Sequence, residues 1–156
     1  MDWLRDFLTN RFLITGMSAW FLAQLMKTII HAIINKKFVL ERMVGDGGMP
    51  SGHSATVTSL ATISALTFGF GSFQFAVTAL LAIIVCHDAM GVRLETGKQA
   101  QIINEMIEAF EIWTKKELPE IKLKEFVGHT PIQVITGILI GILDGCIMHF
   151  LVFPLF

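Results

Sequence analysis

Four stretches of the chain, 12–34, 51–70, 73–92 and 131–152, are long and apolar enough to form helices that cross a bilayer, since a helix needs about 20 residues to traverse the hydrocarbon core. The segments between them differ sharply in character. Residues 35–49 carry Lys36, Lys37, Glu41, Arg42 and Asp46 beside Gly45, Gly47 and Gly48, and read as a loop at the level of the headgroups. Residues 69–72 make a tight, uncharged turn. Residues 93–128 are polar, yet Ile102, Ile103, Met106, Ile107, Phe110 and Trp113 recur within them at helical spacing. That spacing predicts an amphipathic helix lying on the membrane or against the bundle. The first ten residues, with Asp2, Arg5 and Asp6 among apolar neighbours, read as an interfacial lead-in and not as a cleaved signal. The expected fold is all-α: one integral membrane domain of about four transmembrane helices, plus an amphipathic interfacial helix in the long loop.

Polar residues inside the spans sharpen this picture. Gln24, Lys27 and His31 lie three and four residues apart and therefore share one helical face. A charge within a span is costly, so that face should turn into the bundle or a wet cavity. Asp144, deep in the last span, is by default a functional candidate, and pairing with a polar group on another helix would equally explain it. Gly137, Gly141 and Gly145 recur every fourth residue, a packing surface through which copies of the chain could also associate.

Composition agrees. Of 156 residues, 53% are hydrophobic and only 16% charged, against about a quarter charged in a soluble domain. Mean hydropathy is +0.64. A net charge of −1 gives no electrostatic footprint for nucleic acid. Cys86 and Cys146 sit in apolar runs and read as small buried residues, with no metal-ligand spacing around them. With four spans, Arg5 and Arg11 fall on one side, while Lys36, Lys37, Arg42, Arg93, Lys98, Lys115, Lys116, Lys122 and Lys124 fall on the other. The basic side is expected to be cytoplasmic in a multi-pass cell-membrane protein.

The candidate chemistry gathers on that same side. Gly47-Gly48-Met49-Pro50-Ser51-Gly52-His53 would start the second span, with Pro in the first turn and unpaired N–H groups facing an anion near Ser51 and His53. Asp88 ends the third span, and Arg93 and Gly97-Lys98-Gln99 follow it. His129 precedes Pro131 and the last span. Lys27 lies less than two turns below that surface. Two histidines, a lysine, an arginine and a helix N-terminus on one membrane face make an anion site. His31, His87 and His149 read as packing or interfacial residues.

These pieces resemble the type 2 phosphatidic acid phosphatase superfamily, in particular its short divergent branch of small membrane proteins. Pro50-Ser51-Gly52-His53 matches the second signature of that superfamily. His129-Thr130-Pro131-Ile132-Gln133-Val134, with Gly137 and Gly141 beyond, is similar to the third. Gln24 and Lys27 resemble the branch's form of the first, and Arg93 with Gly97-Lys98-Gln99 its displaced arginine segment. The resemblance implies a lipid phosphate or diphosphate as substrate and a mechanism without metal or cofactor. In it His129 is the nucleophile that forms a phosphohistidine and His53 protonates the leaving group. Gln24, Lys27, Ser51, Gly52, Arg93 and Lys98 surround the phosphate. The pattern departs at Gln133, where the family carries an aspartate that orients the nucleophile, so Asp88, and after it Glu125, is expected to stand in. Leu123 occupies the place of a usual arginine, leaving Arg93 to reach in across the loop, and Arg42 is the stand-in for an absent Arg-Pro pair. Two other functions fit the residues. One is a non-catalytic protein that keeps the pocket for anionic lipid. The other is a small oligomeric transporter or channel with Lys27 and Asp144 along its path.

Overall fold

The computed structural model describes residues 2–39, 43, 48–115, 123–125 and 127–155. The described residues form six α-helices: α1 (Asp2–Leu8), α2 (Arg11–Asn35), α3 (Gly52–Phe68), α4 (Phe73–Met90), α5 (Val92–Thr114) and α6 (Pro131–Ile147). A π-helical stretch, Met148–Val152, and a 3-10 turn, Phe153–Leu155, extend α6. Short polar side chains start the helices. The Asn10 side chain accepts from the N–H groups of Phe12 and Leu13 at 3.0 and 3.2 Å. Ser51 caps α3 and Ser72 caps α4, each through a hydroxyl that accepts a backbone N–H three residues on. Gly69, at φ +83°, ends α3 in a backbone region that glycine enters without penalty.

Among the described residues, three helical stretches are long and apolar enough to cross a membrane, Arg11–Asn35, Phe73–Thr114 and Pro131–Leu155. The fourth expected span, α3, has 17 residues, about 25 Å at 1.5 Å per residue, and is rich in Ser, Thr and Ala. It nevertheless holds the bundle together, packing against α2, α4 and α6. Ala55, Ser59, Ile63 and Ser64 on it are buried. Around it, α4 turns Phe73, Leu80, Ile83 and Ile84 outward, as a helix does when lipid is its solvent. The interfacial helix expected in the loop is α5, longer than the 102–113 periodicity indicated. Ile102, Met106, Phe110 and Trp113 are exposed along it.

The α3–α6 contact depends on the absence of side chains. A Cβ on Gly137 would meet the Ser51 carbonyl oxygen at 2.5 Å, and one on Gly145 the Thr62 Cβ at 2.8 Å. One on Gly141 would collide with the carbonyl oxygen of Ala55. The glycine face, a packing surface by its spacing, is filled by α3 of the same chain. Polar groups at this level are satisfied across helices: Ser18 Oγ donates to Asp144 Oδ2 at 2.8 Å, the pairing expected of an acid within a span.

This packing predicts that Gly141→Ala costs about 1–3 kcal/mol through overpacking, measured as a lowered thermal midpoint in detergent. Gly71→Ala, with nothing within 4 Å of its Cβ, should leave the midpoint unchanged.

Candidate functional site

Two hydrogen bonds lock the site-bearing segments to one another. The backbone N–H of Ser51 donates to the Gln133 carbonyl at 3.0 Å, tying the start of α3 to the first turn of α6. The N–H of His129 donates to the Ala89 carbonyl at 3.0 Å, tying the approach to α6 to the last turn of α4. Residues 123–125 and 127–129 lie alongside α5. Asn104 Nδ2 donates to the Leu123 carbonyl at 2.9 Å and to Glu125 Oε1 at 2.7 Å, and Asn104 Oδ1 accepts from the Leu123 N–H at 3.0 Å. The strap fits closely because a glycine stands on each side of the contact: a Cβ on Gly97 of α5 would stand 2.6 Å from the Val127 carbonyl, and one on Gly128 of the strap would strike the Arg93–Leu94 backbone. The Gly97 motif thus serves to seat the segment that carries His129.

The result is a cavity of about 330 Å³ whose wall holds His53, Asp88, Arg93 and His129, with Val85, Ala89 and Gly128 among the remaining lining. His53 is exposed and stands in the first turn of α3. His129 is buried, with 6% of its surface accessible. Its Nδ1 lies 3.2 Å from Gln133 Oε1, and the same oxygen accepts the Thr130 N–H at 3.1 Å. An amide oxygen only accepts, so the contact assigns a proton to Nδ1 and leaves Nε2 with its lone pair when the ring is neutral. Burial pulls the His129 pKa below its ordinary value. The Gln133 bond opposes that shift, the charges of Lys27 and His53 reinforce it, and the Gly48 carbonyl weakly opposes it.

The remaining expected residues divide. Lys27 is buried, 5% exposed, with its stem beside Gly48 and its charge felt at His129. Gln24 is buried, with no hydrogen-bond partner for its Oε1, and packs with Trp20 over Gly52. Gly52 keeps a first-turn N–H of the kind that lacks an intrahelical acceptor. Arg93 reaches the cavity, and its Nε–H donates to Asp88 Oδ2 at 2.5 Å, engaging one of five donors.

Four expected residues sit otherwise. Asp88 does not orient the nucleophile candidate: its carboxylate turns to Arg93, which follows the helix break at Gly91, and Gln133 takes the imidazole instead. Glu125, the next candidate, is committed to Asn104. Ser51 does not line the cavity, because it is fully buried. Its N–H is given to Gln133 and its hydroxyl to the start of α3, where it also contacts Ser54 Oγ at 2.9 Å. Lys98 lies outside the cavity, exposed and paired with Glu95 at 2.7 Å. Arg42 falls outside the described residues. Sequence reasoning treated Gln133 as a deficit, although Thr-x-x-Gln ahead of an apolar run is a capping signal that places Gln133 near residue 130. The packing of Asn104 against the strap left no sequence signal.

Residues 8–144 match the family described as Divergent PAP2 family. The chain is 41% identical over 147 residues to the uncharacterized membrane protein YuiD of Bacillus subtilis (strain 168), an alignment covering 88% of this chain and 93% of that protein. No solved structure matches.

Gln133→Glu should move the His129 pKa upward, because a carboxylate favours the imidazolium. Gln133→Leu should move it further down. Imidazole NMR titration of the two variants measures both, and shifts in the same direction would show that position 133 does not control the ring.

Proposed function

The chain belongs to the divergent PAP2 family, and from that membership we propose that this membrane protein is a metal-independent phosphatase acting on a lipid phosphate or diphosphate. The observation that carries the proposal is the cavity shared by His53 and His129, with Arg93 on its wall and the Lys27 charge close enough to act on His129. In this mechanism the Nε2 lone pair of His129 attacks phosphorus while the bond from phosphorus to the lipid oxygen breaks. That oxygen takes the proton carried by His53. Water then attacks the phosphohistidine, returning its proton to His53 and releasing phosphate from His129. Lys27, Arg93 and the Gly52 N–H stabilise the charge on the phosphate oxygens, and Arg93 leaves Asp88 to do so.

The low pKa of His129 supports a nucleophile that is unprotonated at neutral pH. Activity should fall as pH drops through that pKa. Gln133 suits this role, since it orients the ring without adding the negative charge that a carboxylate would bring. A lipid substrate is supported by a second cavity of about 300 Å³, lined by Met17, Trp20, Thr56 and Val57, which shares His53 and Val85 with the first. It lies between α2 and α4, where a tail could remain in the bilayer while its phosphate meets the histidines. The second reading, a binding protein for anionic lipid without turnover, draws on the absent carboxylate at position 133.

Phosphate release from phosphatidate, phosphatidylglycerophosphate and isoprenyl diphosphates, measured in detergent with chelator present, tests the proposal. His129→Ala should reduce release to background. His53→Ala should slow it by roughly 10²–10⁴-fold, and Lys27→Met by about 10²–10³-fold. Lipid bound but never hydrolysed by the wild type would favour the second reading.

The excess of basic residues on the site-bearing side supports a cytoplasmic orientation. A cysteine at Lys115, in a chain lacking Cys86 and Cys146, should resist an impermeant maleimide in intact cells and react after lysis. Labelling before lysis would reverse the orientation.

A further inference from the structure

The membrane face opposite the two histidines holds a cavity that the chemistry above does not use. It measures about 470 Å³ and lies between the start of α2, the end of α3 and the C-terminal turns. Two of its lining side chains are basic, Arg11 and His149, while Phe12, Ile63 and Phe153 give it an apolar wall and Thr67 contributes a hydroxyl. The Arg11 guanidinium stands 5.3 Å from the ring centroid of Phe153, itself buried. His149 is held edge-on to Phe150, with centroids 4.8 Å apart. Among the described residues no carboxylate pairs with either base, and Asp144, earlier on α6, is bonded to Ser18. Arg11 is thus an exposed cation resting on an aromatic ring, with apolar surface on one side and no carboxylate partner among the described residues.

We propose that this cavity binds the phosphate of an anionic phospholipid in the leaflet opposite the active-site face. A guanidinium matches a phosphate with paired, charge-assisted hydrogen bonds. Stacking on Phe153 fixes the guanidinium's position without consuming its donors, and His149 and Thr67 add donors nearby. The phenylalanine and isoleucine walls suit the glycerol and upper acyl chain of such a lipid. The site is independent of the phosphatase proposal and would exist in a protein with no turnover.

The test uses full-length protein carrying His53→Ala, titrated with phosphatidylglycerol, phosphatidylcholine or inorganic phosphate, with binding read by native mass spectrometry and thermal midpoint. Phosphatidylglycerol is chosen because its phosphate is a diester, outside the reaction proposed for the other face. It should bind more tightly than phosphatidylcholine. Adding Arg11→Gln and His149→Gln should weaken it roughly ten- to a hundredfold, with Arg11→Lys intermediate. Unchanged affinity in the Gln variants would overturn the site, and equal protection by inorganic phosphate would overturn the lipid assignment. Should the Gln variants fail to fold, a photoactivatable phosphatidylglycerol on otherwise native protein should label peptides containing Arg11 and His149. Labelling confined to other peptides would overturn the proposal.

Discussion

The close approach of α6 to α3 is the constraint on which the rest of the structure depends. Gly137, Gly141 and Gly145 let the α3 backbone pack directly against α6, at the distance where the Ser51 N–H reaches the Gln133 carbonyl. In lipid, hydrophobic burial does not drive helices together, and close van der Waals contact between small residues takes its place. His53 follows the α3 start by one residue, and His129 precedes α6 by two. The spacing of the two imidazoles is therefore inherited from backbone packing and not from any interaction between the rings.

Around that frame, the electrostatics of His129 follow from its neighbours. Burial, Lys27 and His53 all disfavour a charged ring, and the amide of Gln133 holds its orientation without adding a negative charge. A carboxylate at position 133 would hold the same geometry and favour the charged ring more strongly. Asp88, which might have compensated, neutralises Arg93 in the same cavity. The wall of the cavity thus carries one ion pair, the imidazole of His53 and an oriented imidazole at His129 whose pKa burial lowers.

The two membrane faces of the bundle are built differently. At one, three helix termini, a loop and the strap along α5 converge on the histidine-lined cavity. At the other, α2, α3 and the end of α6 enclose a pocket with Arg11 and His149. Between them run buried hydroxyls, Thr15, Ser59 and Ser64 among them, and the Ser18–Asp144 hydrogen bond. The polar interior of this small bundle is therefore continuous in character but closed by packing, with short side chains bonding to backbone carbonyls of their own or neighbouring helices.

Sequence alone determined the helical spans, the membrane setting and the single face on which Lys27, His53, Asp88, Arg93 and His129 collect, because hydrophobic period and helix order fix which ends point the same way. It also marked Gly137, Gly141 and Gly145 as a packing surface. Only the tertiary structure decided what that surface packs against, since a small-residue face suits α3 of the same chain as well as another copy. The same holds for the partner of His129, the seclusion of Ser51 and the exclusion of Lys98. Each depends on which of several nearby polar atoms lies within about 3 Å, a selection made by the packing of helices distant in sequence and invisible to local spacing.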